Sequence, residues 1–346
     1  MHCIGELIDP IASWPGLRNG ASDAPPILDG VGGDGSGVDA TPAAFLLSNQ
    51  ELYSDIATKA IAADLIEYTP EFQLWSDGAV KRRWLRLPDG AQIDTSNPDH
   101  WVFPVGATLY KEFAAPDGTL LETRMIRRLT DGDDLRVDYF FGSFVWNEDE
   151  SEATLAPTGA RDVRGTQHDA PSQGQCFKCH RGETGGVLGF SAVQLASTSL
   201  ADHEGDGLLT TAIPRPIGPP GTAADRAALG TLHANCGHCH NPLGEGAEFA
   251  PDMALRIAVA DGAATVGQTD IVQSTCNHTF QYYDGPVGVD FRLVPGDAAA
   301  SGIAFRASQR GNGDAMPPTG TDQIDATGTA ALNAWIEAMV DGVCPL

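Results

Sequence analysis

The chain reads as an α+β multidomain protein: an antiparallel β-rich N-terminal domain followed by a mainly α region. Three observations predict this. Up to about residue 158, apolar and polar residues alternate at period two between Pro-Asp-Gly turns. Beyond that point short stretches repeat at helical spacing between Gly/Pro loops. Four of the six tryptophans, Trp75, Trp84, Trp101 and Trp146, fall in the first part, enough to anchor a compact sheet.

Residues 1–44 are rich in Gly, Pro, Asp and Ala around Gly30-Val-Gly-Gly-Asp-Gly-Ser-Gly37 and read as an extended tail or linker. Residues 45–158 form the β-rich domain. There Trp84 to Leu87 and Ala91 to Ile93 flank one Pro-Asp-Gly turn, and Ala107 to Phe113 and Thr119 to Leu129 flank another. Leu135, Val137, Tyr139 and Phe141 alternate with Arg136, Asp138 and Phe140, as in a half-buried strand. Asn147 to Glu152 reads as a solvated acidic turn. Two further segments, 159–220 and 221–346, each contain one Cys-x-x-Cys-His motif. Thr222-x-x-Asp225 is a capping box opening a helix that leads through Leu229 and Leu232 to Cys236. Asp297 is placed to cap a helix running through Phe305. Asp325 caps a last one, with Leu332, Trp335, Ile336 and Met339 on one face and Gly342 as its stop.

The 346 residues carry a formal net charge of −25. Such a surface repels nucleic acid and anionic lipid, which argues against both as partners. No apolar run has the length of a membrane span. The acidic balance serves solubility or steers a basic redox partner.

Of seven cysteines, four lie in Cys176-Phe-Lys-Cys179-His180 and Cys236-Gly-His-Cys239-His240. Two thiols two residues apart reach the two vinyl groups of one haem, and the His directly after the second is placed to ligate its iron from the same side. Four such thiolates could also form a zinc site. The His after both pairs favours two covalently bound haem c groups. On this reading Cys176, Cys179, Cys236 and Cys239 bind the cofactors, and His180 and His240 are iron ligands. Residues 159–220 are then a first haem c segment and 221–346 a class I cytochrome c-like domain. Met316, in the stiff Ala315-Met316-Pro317-Pro318 loop, is the expected sixth ligand of the second haem. For the first haem the leading candidate is His168, with His100, Met125, His203, His233 or an open iron position as alternatives. His238, between the cysteines, is not expected to ligate. Arg181, Arg306 and Arg310 are candidate partners for haem propionates.

Cys276 and Cys344, both after the second motif, could form a disulfide, which leaves Cys3 free or paired in another arrangement, a connectivity open at this point. Haem c is attached outside the bacterial cytoplasm, so a periplasmic or extracellular location is expected. Met1-His2-Cys3-Ile4 lacks the basic and apolar regions of a signal peptide, so the numbering reads as a mature or trimmed chain. Cys3 could be a lipid attachment site, a less favoured reading because two residues precede it.

Several blocks carry a resemblance: Leu52-Tyr-Ser-Asp-Ile-Ala-Thr-Lys59, Leu74-Trp-Ser-Asp-Gly-Ala-Val-Lys-Arg-Arg-Trp84, Trp101-Val-Phe-Pro-Val-Gly106, Lys111-Glu-Phe113, Glu122-Thr-Arg124 and Val145-Trp-Asn-Glu148. It continues through Leu188-Gly-Phe-Ser191, Leu232-His-Ala-Asn-Cys-Gly-His-Cys-His-Asn-Pro242, Val294-Pro-Gly-Asp297 and Met316-Pro-Pro318. Over roughly residues 45–342 the chain resembles a family of secreted bacterial di-haem cytochrome c-like proteins with an N-terminal β domain. Some members are fused to propellers of the glucose/sorbosone dehydrogenase type. The resemblance implies the same haem-binding set, including Met316, and a dehydrogenase or respiratory complex as redox partner.

The expected function is electron transfer between redox partners, without catalysis of its own. Two alternatives stand beside it: a di-haem peroxidase or oxidase using the first haem, and a cytochrome subunit docked by its β domain into a larger respiratory or extracellular assembly.

Overall fold

Residues 45–339 and 343–345 are described by a computed structural model. The tail at 1–44, with Cys3, and the Gly342 stop lie outside the described residues.

Alternation and tight turns build a six-stranded antiparallel meander: β3 (Ile66–Glu67), β4 (Val80–Arg86), β5 (Thr108–Ala114), β6 (Leu120–Arg128), β7 (Tyr139–Trp146) and β8 (Ala153–Leu155), in that order across the sheet. A small hairpin, β1 (Tyr53–Asp55) and β2 (Ala60–Ile61), precedes it. The expected turn at Pro116-Asp117-Gly118 joins β5 to β6, with Gly118 at φ +95° and Ala115 N–H donating to Thr119 O at 2.8 Å. The other expected hairpin does not form. Val80–Arg86 pairs with β5 along its whole length, while Ile93 bridges to Leu209. The seventh strand also starts later than the alternation suggests, because Asp134 O accepts the N–H groups of Val137 and Asp138 in a turn.

Register assigns the two sheet faces. Trp84, Tyr110 and Met125 stand opposite one another and are buried with Phe140, Phe144 and Trp146 beneath Leu47, Leu52 and Tyr53 of the leading segment. Tyr53 Oη donates to Glu112 and Tyr110 Oη to Gln50 O, closing the polar ends of this core. The other face carries Leu85, Leu109, Ile126, Tyr139 and Phe141, together with several charged residues, and it meets the Cys motifs.

The second half departs from the expected mainly α, cytochrome c-like region. Among the described residues the fold is organised by two antiparallel sheets with eight strands, and helices take up only 24% of the structure. The described residues past 159 contain seven α-helices: α1 (Gln173–His180), α2 (Ala192–Leu195), α3 (Leu200–Gly205), α4 (Ala223–Asn235), α5 (Asp270–Thr275), α6 (Gly302–Ala307) and α7 (Ala326–Glu337). Only α4 and α7 exceed eight residues. The physical cause is in the connections. Pro214, Pro216, Pro219 and Pro220 lack the N–H a helix needs, and Gly218 and Gly221 sit at φ +103° and +92°.

Where capping chemistry is explicit, the helices follow it. The Thr222/Asp225 box opens α4, and Asp325 Oδ1 accepts Gly328 N–H at 2.9 Å to open α7. Leu332, Trp335, Ile336 and Met339 are buried on one face, and Trp335 Nε1–H donates to Asp225 Oδ1 at 2.9 Å, tying α7 to α4. Asp297 behaves otherwise. Its carboxylate accepts Ala300 N–H in a turn, and α6 begins five residues later. One continuous apolar core runs from Leu85 and Leu109 of the sheet to Leu229, Leu232, Leu332 and Trp335, across the expected boundaries at 158 and 220. Cys276 and Cys344 are disulfide-bonded, with Cα atoms 6.1 Å apart.

Candidate cofactor and metal site

Helix α1 delivers the first motif to the charged face of the sheet. Its start is fixed by a capping box in which Ser172 Oγ accepts Gln175 N–H and Gln175 Oε1 accepts Ser172 N–H. Cys176 is then buried against Tyr139 and Phe141, and burial pushes its thiol up to about 11. His180 closes the helix with Nδ1–H donating to Gly186 O at 2.6 Å and its ring 4.9 Å from that of Phe141. Burial lowers its pKa to about 4, so the imidazole is neutral at pH 7 with Nε2 as the nitrogen left to act as a base or ligand.

The second motif follows α4 directly, with Cys236 as the C-cap residue and its thiol pushed up to about 12 by burial. His240 is also held neutral by burial, at about 4, and its Nδ1 is buried with no hydrogen-bond partner among the described residues. Met316 is half-buried in a loop strapped to the end of α6. Its N–H donates to Arg306 O at 3.0 Å, and its carbonyl accepts from Arg310 Nη1 at 3.0 Å. The charge of Arg306 acts on His240 and that of Arg310 on Cys236, so this loop lies on the second motif's side.

The two motifs meet. A Cβ on Gly182 would stand 1.7 Å from His238 O, so only glycine permits this approach of the two backbones. Arg181 pairs with Glu248 at 3.0 Å and Glu183 with Arg256 at 2.8 Å across the same seam. The ligand atoms of Cys179, His238 and Cys239 lie within 4.8 Å of one another. The closeness of the two sulfurs lowers the Cys179 thiol and raises that of Cys239. Cys176 and Cys236 stand outside this cluster. His238, which the spacing set aside, is thus drawn to the seam.

His168 is 5% exposed and bonded through Nε2 to Glu122 Oε2 at 2.8 Å, over the Phe113 ring. Ligation through Nε2 would require Glu122 to let go. Among the alternatives, Met125 is packed into the opposite face of the sheet, which removes it from reach of the motif. His203 bonds Ser199 and stacks on Phe190, His233 Nδ1 accepts Ile257 N–H at 3.0 Å, and His100 pairs with Thr184. Of the expected propionate partners, Arg181 is occupied by Glu248, and Arg306 donates to Asp314 O and stacks on Tyr283. Arg310 spends its donors on the carbonyls of Ala307, Gln309, Met316 and Gln323.

A narrow cleft of about 50 Å³ lies against the sheet, lined by His233, Gly237 and His238 but by none of the four motif thiols and neither His180 nor His240. Pro70, Phe72, Leu74, Val187 and Leu188 make it apolar on one side, and Arg83, Lys111, Glu183, His233, His238 and Arg256 make it polar on the other. Four thiols and two neutral imidazoles, each directly after a Cys-x-x-Cys pair, are the donor set haem c attachment uses, and on that chemistry the residues present fit the group. The cationic wall was legible only as period-two basic residues in Lys81-Arg-Arg83, whose burial the sequence did not reveal.

No family model matches the chain, and neither a curated protein nor a solved structure does.

Proposed function

We propose that the chain is a di-haem c-type electron-transfer protein working outside the cytoplasm, with both cofactors carried at the seam between a β-sheet and a loop-rich half. The observation that carries this reading is His180. It stands directly after a Cys-x-x-Cys pair, buried and neutral, with Nδ1–H anchored on Gly186 O and Nε2 left over. That hydrogen bond fixes the tautomer and ring orientation of an imidazole that would hold iron through its other nitrogen. Cys176, Cys179, Cys236 and Cys239 would hold the cofactors by thioethers, with His180 and His240 as ligands and Met316 and His168 as the proposed distal candidates. The bound groups supply reversible one-electron chemistry. The chain's own contribution is to bury both imidazoles and to bring the attachment points Cys179 and Cys239 together at one seam. Net charge −25 suits a basic redox partner, a dehydrogenase or a respiratory complex, met at a salt-dependent rate.

The convergence of Cys179, His238 and Cys239 supports a second reading, a soft-metal site taking Zn²⁺ through two thiolates and an imidazole. The test is the purified protein from a host competent in haem c attachment, examined by haemochrome spectroscopy, intact mass and metal analysis. Two covalent haems per chain with reversible reduction are expected. A zinc-loaded chain of unmodified mass would overturn the electron-transfer reading in favour of the second.

A further inference from the structure

Strand register sets Arg83 opposite Lys111 and Lys111 opposite Arg124, so three cations stand side by side on one face of β4, β5 and β6, Arg83 buried and the other two half-buried. Like charges directly opposite one another destabilise a sheet, and burial sharpens the penalty. Their local counter-charges do not balance them. Glu122 is taken by Arg124 at 2.8 Å and by His168. Glu183 is taken by Arg256, and the neighbouring Lys81 donates to Leu74 O at 2.8 Å. Arg83 is 4% exposed and makes no side-chain hydrogen bond among the described residues, its Nη1 buried without a partner. Lys111 likewise has no acceptor among the described residues and rests its Nζ 4.7 Å over the Phe113 ring. Both line the cleft.

An unpartnered buried guanidinium beside an unpartnered ammonium is a site awaiting an anion with two acceptor oxygens. We propose that Arg83 and Lys111 form a buried oxyanion-binding site whose ligand is a carboxylate or phosphate group. The charge imbalance belongs to the polypeptide itself, so the site does not depend on the haem reading. The oxyanion has two possible sources, a haem propionate or a soluble oxyanion such as inorganic phosphate. The blocks Lys81-Arg-Arg-Trp84, Lys111-Glu-Phe113 and Glu122-Thr-Arg124, which electron transfer leaves without a task, converge on this one row.

The experiment uses the full chain as purified, with Arg83→Gln, Lys111→Met and the charge-preserving Arg83→Lys. Unfolding is followed in phosphate against chloride at equal ionic strength, and haem potentials by spectroscopic titration. If the source is soluble, phosphate stabilises the wild type, and Arg83→Gln and Lys111→Met each weaken its apparent affinity at least tenfold, with potentials unchanged. If the source is a propionate, phosphate has no effect. Both neutralising variants then lower the potential of one haem, because a cation beside the propionate favours the ferrous state, and Arg83→Lys restores most of it. Either result supports the site. A chain without haem fails the proposed function and still reports on the site through the phosphate arm. The proposal is overturned if phosphate is without effect on the wild type and neither Arg83→Gln nor Lys111→Met moves a haem potential.

Discussion

Glu122 shows how one buried carboxylate organises its surroundings. Burial by itself would raise its pKa, but Arg124 and His168 overcome that penalty and hold it at about 2. Against about 4.3 in an unfolded chain, the depression corresponds to about 3 kcal/mol, fully present above pH ~4.3 and lost as pH falls toward 2. Glu122→Gln is therefore expected to cost about 3 kcal/mol at pH 7 in urea unfolding, since it leaves Arg124 and His168 without their acceptor. A loss below about 0.5 kcal/mol would mean the group reorganises without it. His233 acts at higher pH. Its Nδ1 must stay unprotonated to accept Ile257 N–H, and burial lowers its pKa to about 3. The stability it contributes is complete above the unfolded value of about 6.5 and declines as pH drops toward 3. His233→Gln keeps an acceptor without the titration, so the fall in unfolding midpoint between pH 7 and pH 5 should flatten in that variant.

Among the elements, the contact between α1 and the second motif is set by a glycine rather than by an apolar stripe. Gly182→Ala would press a methyl against His238 O, and backbone at that position has no rotamer by which to yield. The expected cost is about 1–3 kcal/mol, with a change in any coupling between cofactors attached at Cys179 and Cys239. Circular dichroism melting and low-temperature EPR on the same preparation check both; unchanged melting would show that the two segments can part freely. Helix α4 illustrates the opposite case. Thr222, Asp225, Leu229 and Leu232 each specify its start or its buried face locally, so its limits were legible from sequence. Asp297 failed as a helix cap because its carboxylate bonds only to the next turn, a choice made by the packing of Ser301, which bonds Val294 and Asp297 O.

For the whole molecule the decisive fact is that one apolar core joins the sheet to the loop-rich half. The Cys276–Cys344 bond closes a loop between residues 68 positions apart in that half. By the loop-entropy estimate its reduction should remove about 4 kcal/mol, measured as the shift in the wild type's urea midpoint with and without reductant and absent in a Cys276→Ser, Cys344→Ser control. No difference between oxidised and reduced wild type would show that the core alone holds the C-terminal segment.

The sequence by itself determined whatever is written within a few residues: the two Cys-x-x-Cys-His motifs, the Thr222 and Asp325 caps, and the Pro-Asp-Gly hairpin of β5 and β6, while the pairing of Cys276 with Cys344 was settled by the fold. Only the tertiary structure decided that the second half is not a mainly α, cytochrome c-like region, because prolines and positive-φ glycines break its helices before packing can extend them. It also decided that Met125 faces away from the motifs, that His238 meets Cys179 and Cys239, and that Arg83, Lys111 and Arg124 form one row across three strands. Each of these depends on strand register or on the approach of segments tens of residues apart. A local pattern fixes a residue's face, but the partner opposite it is chosen by the fold.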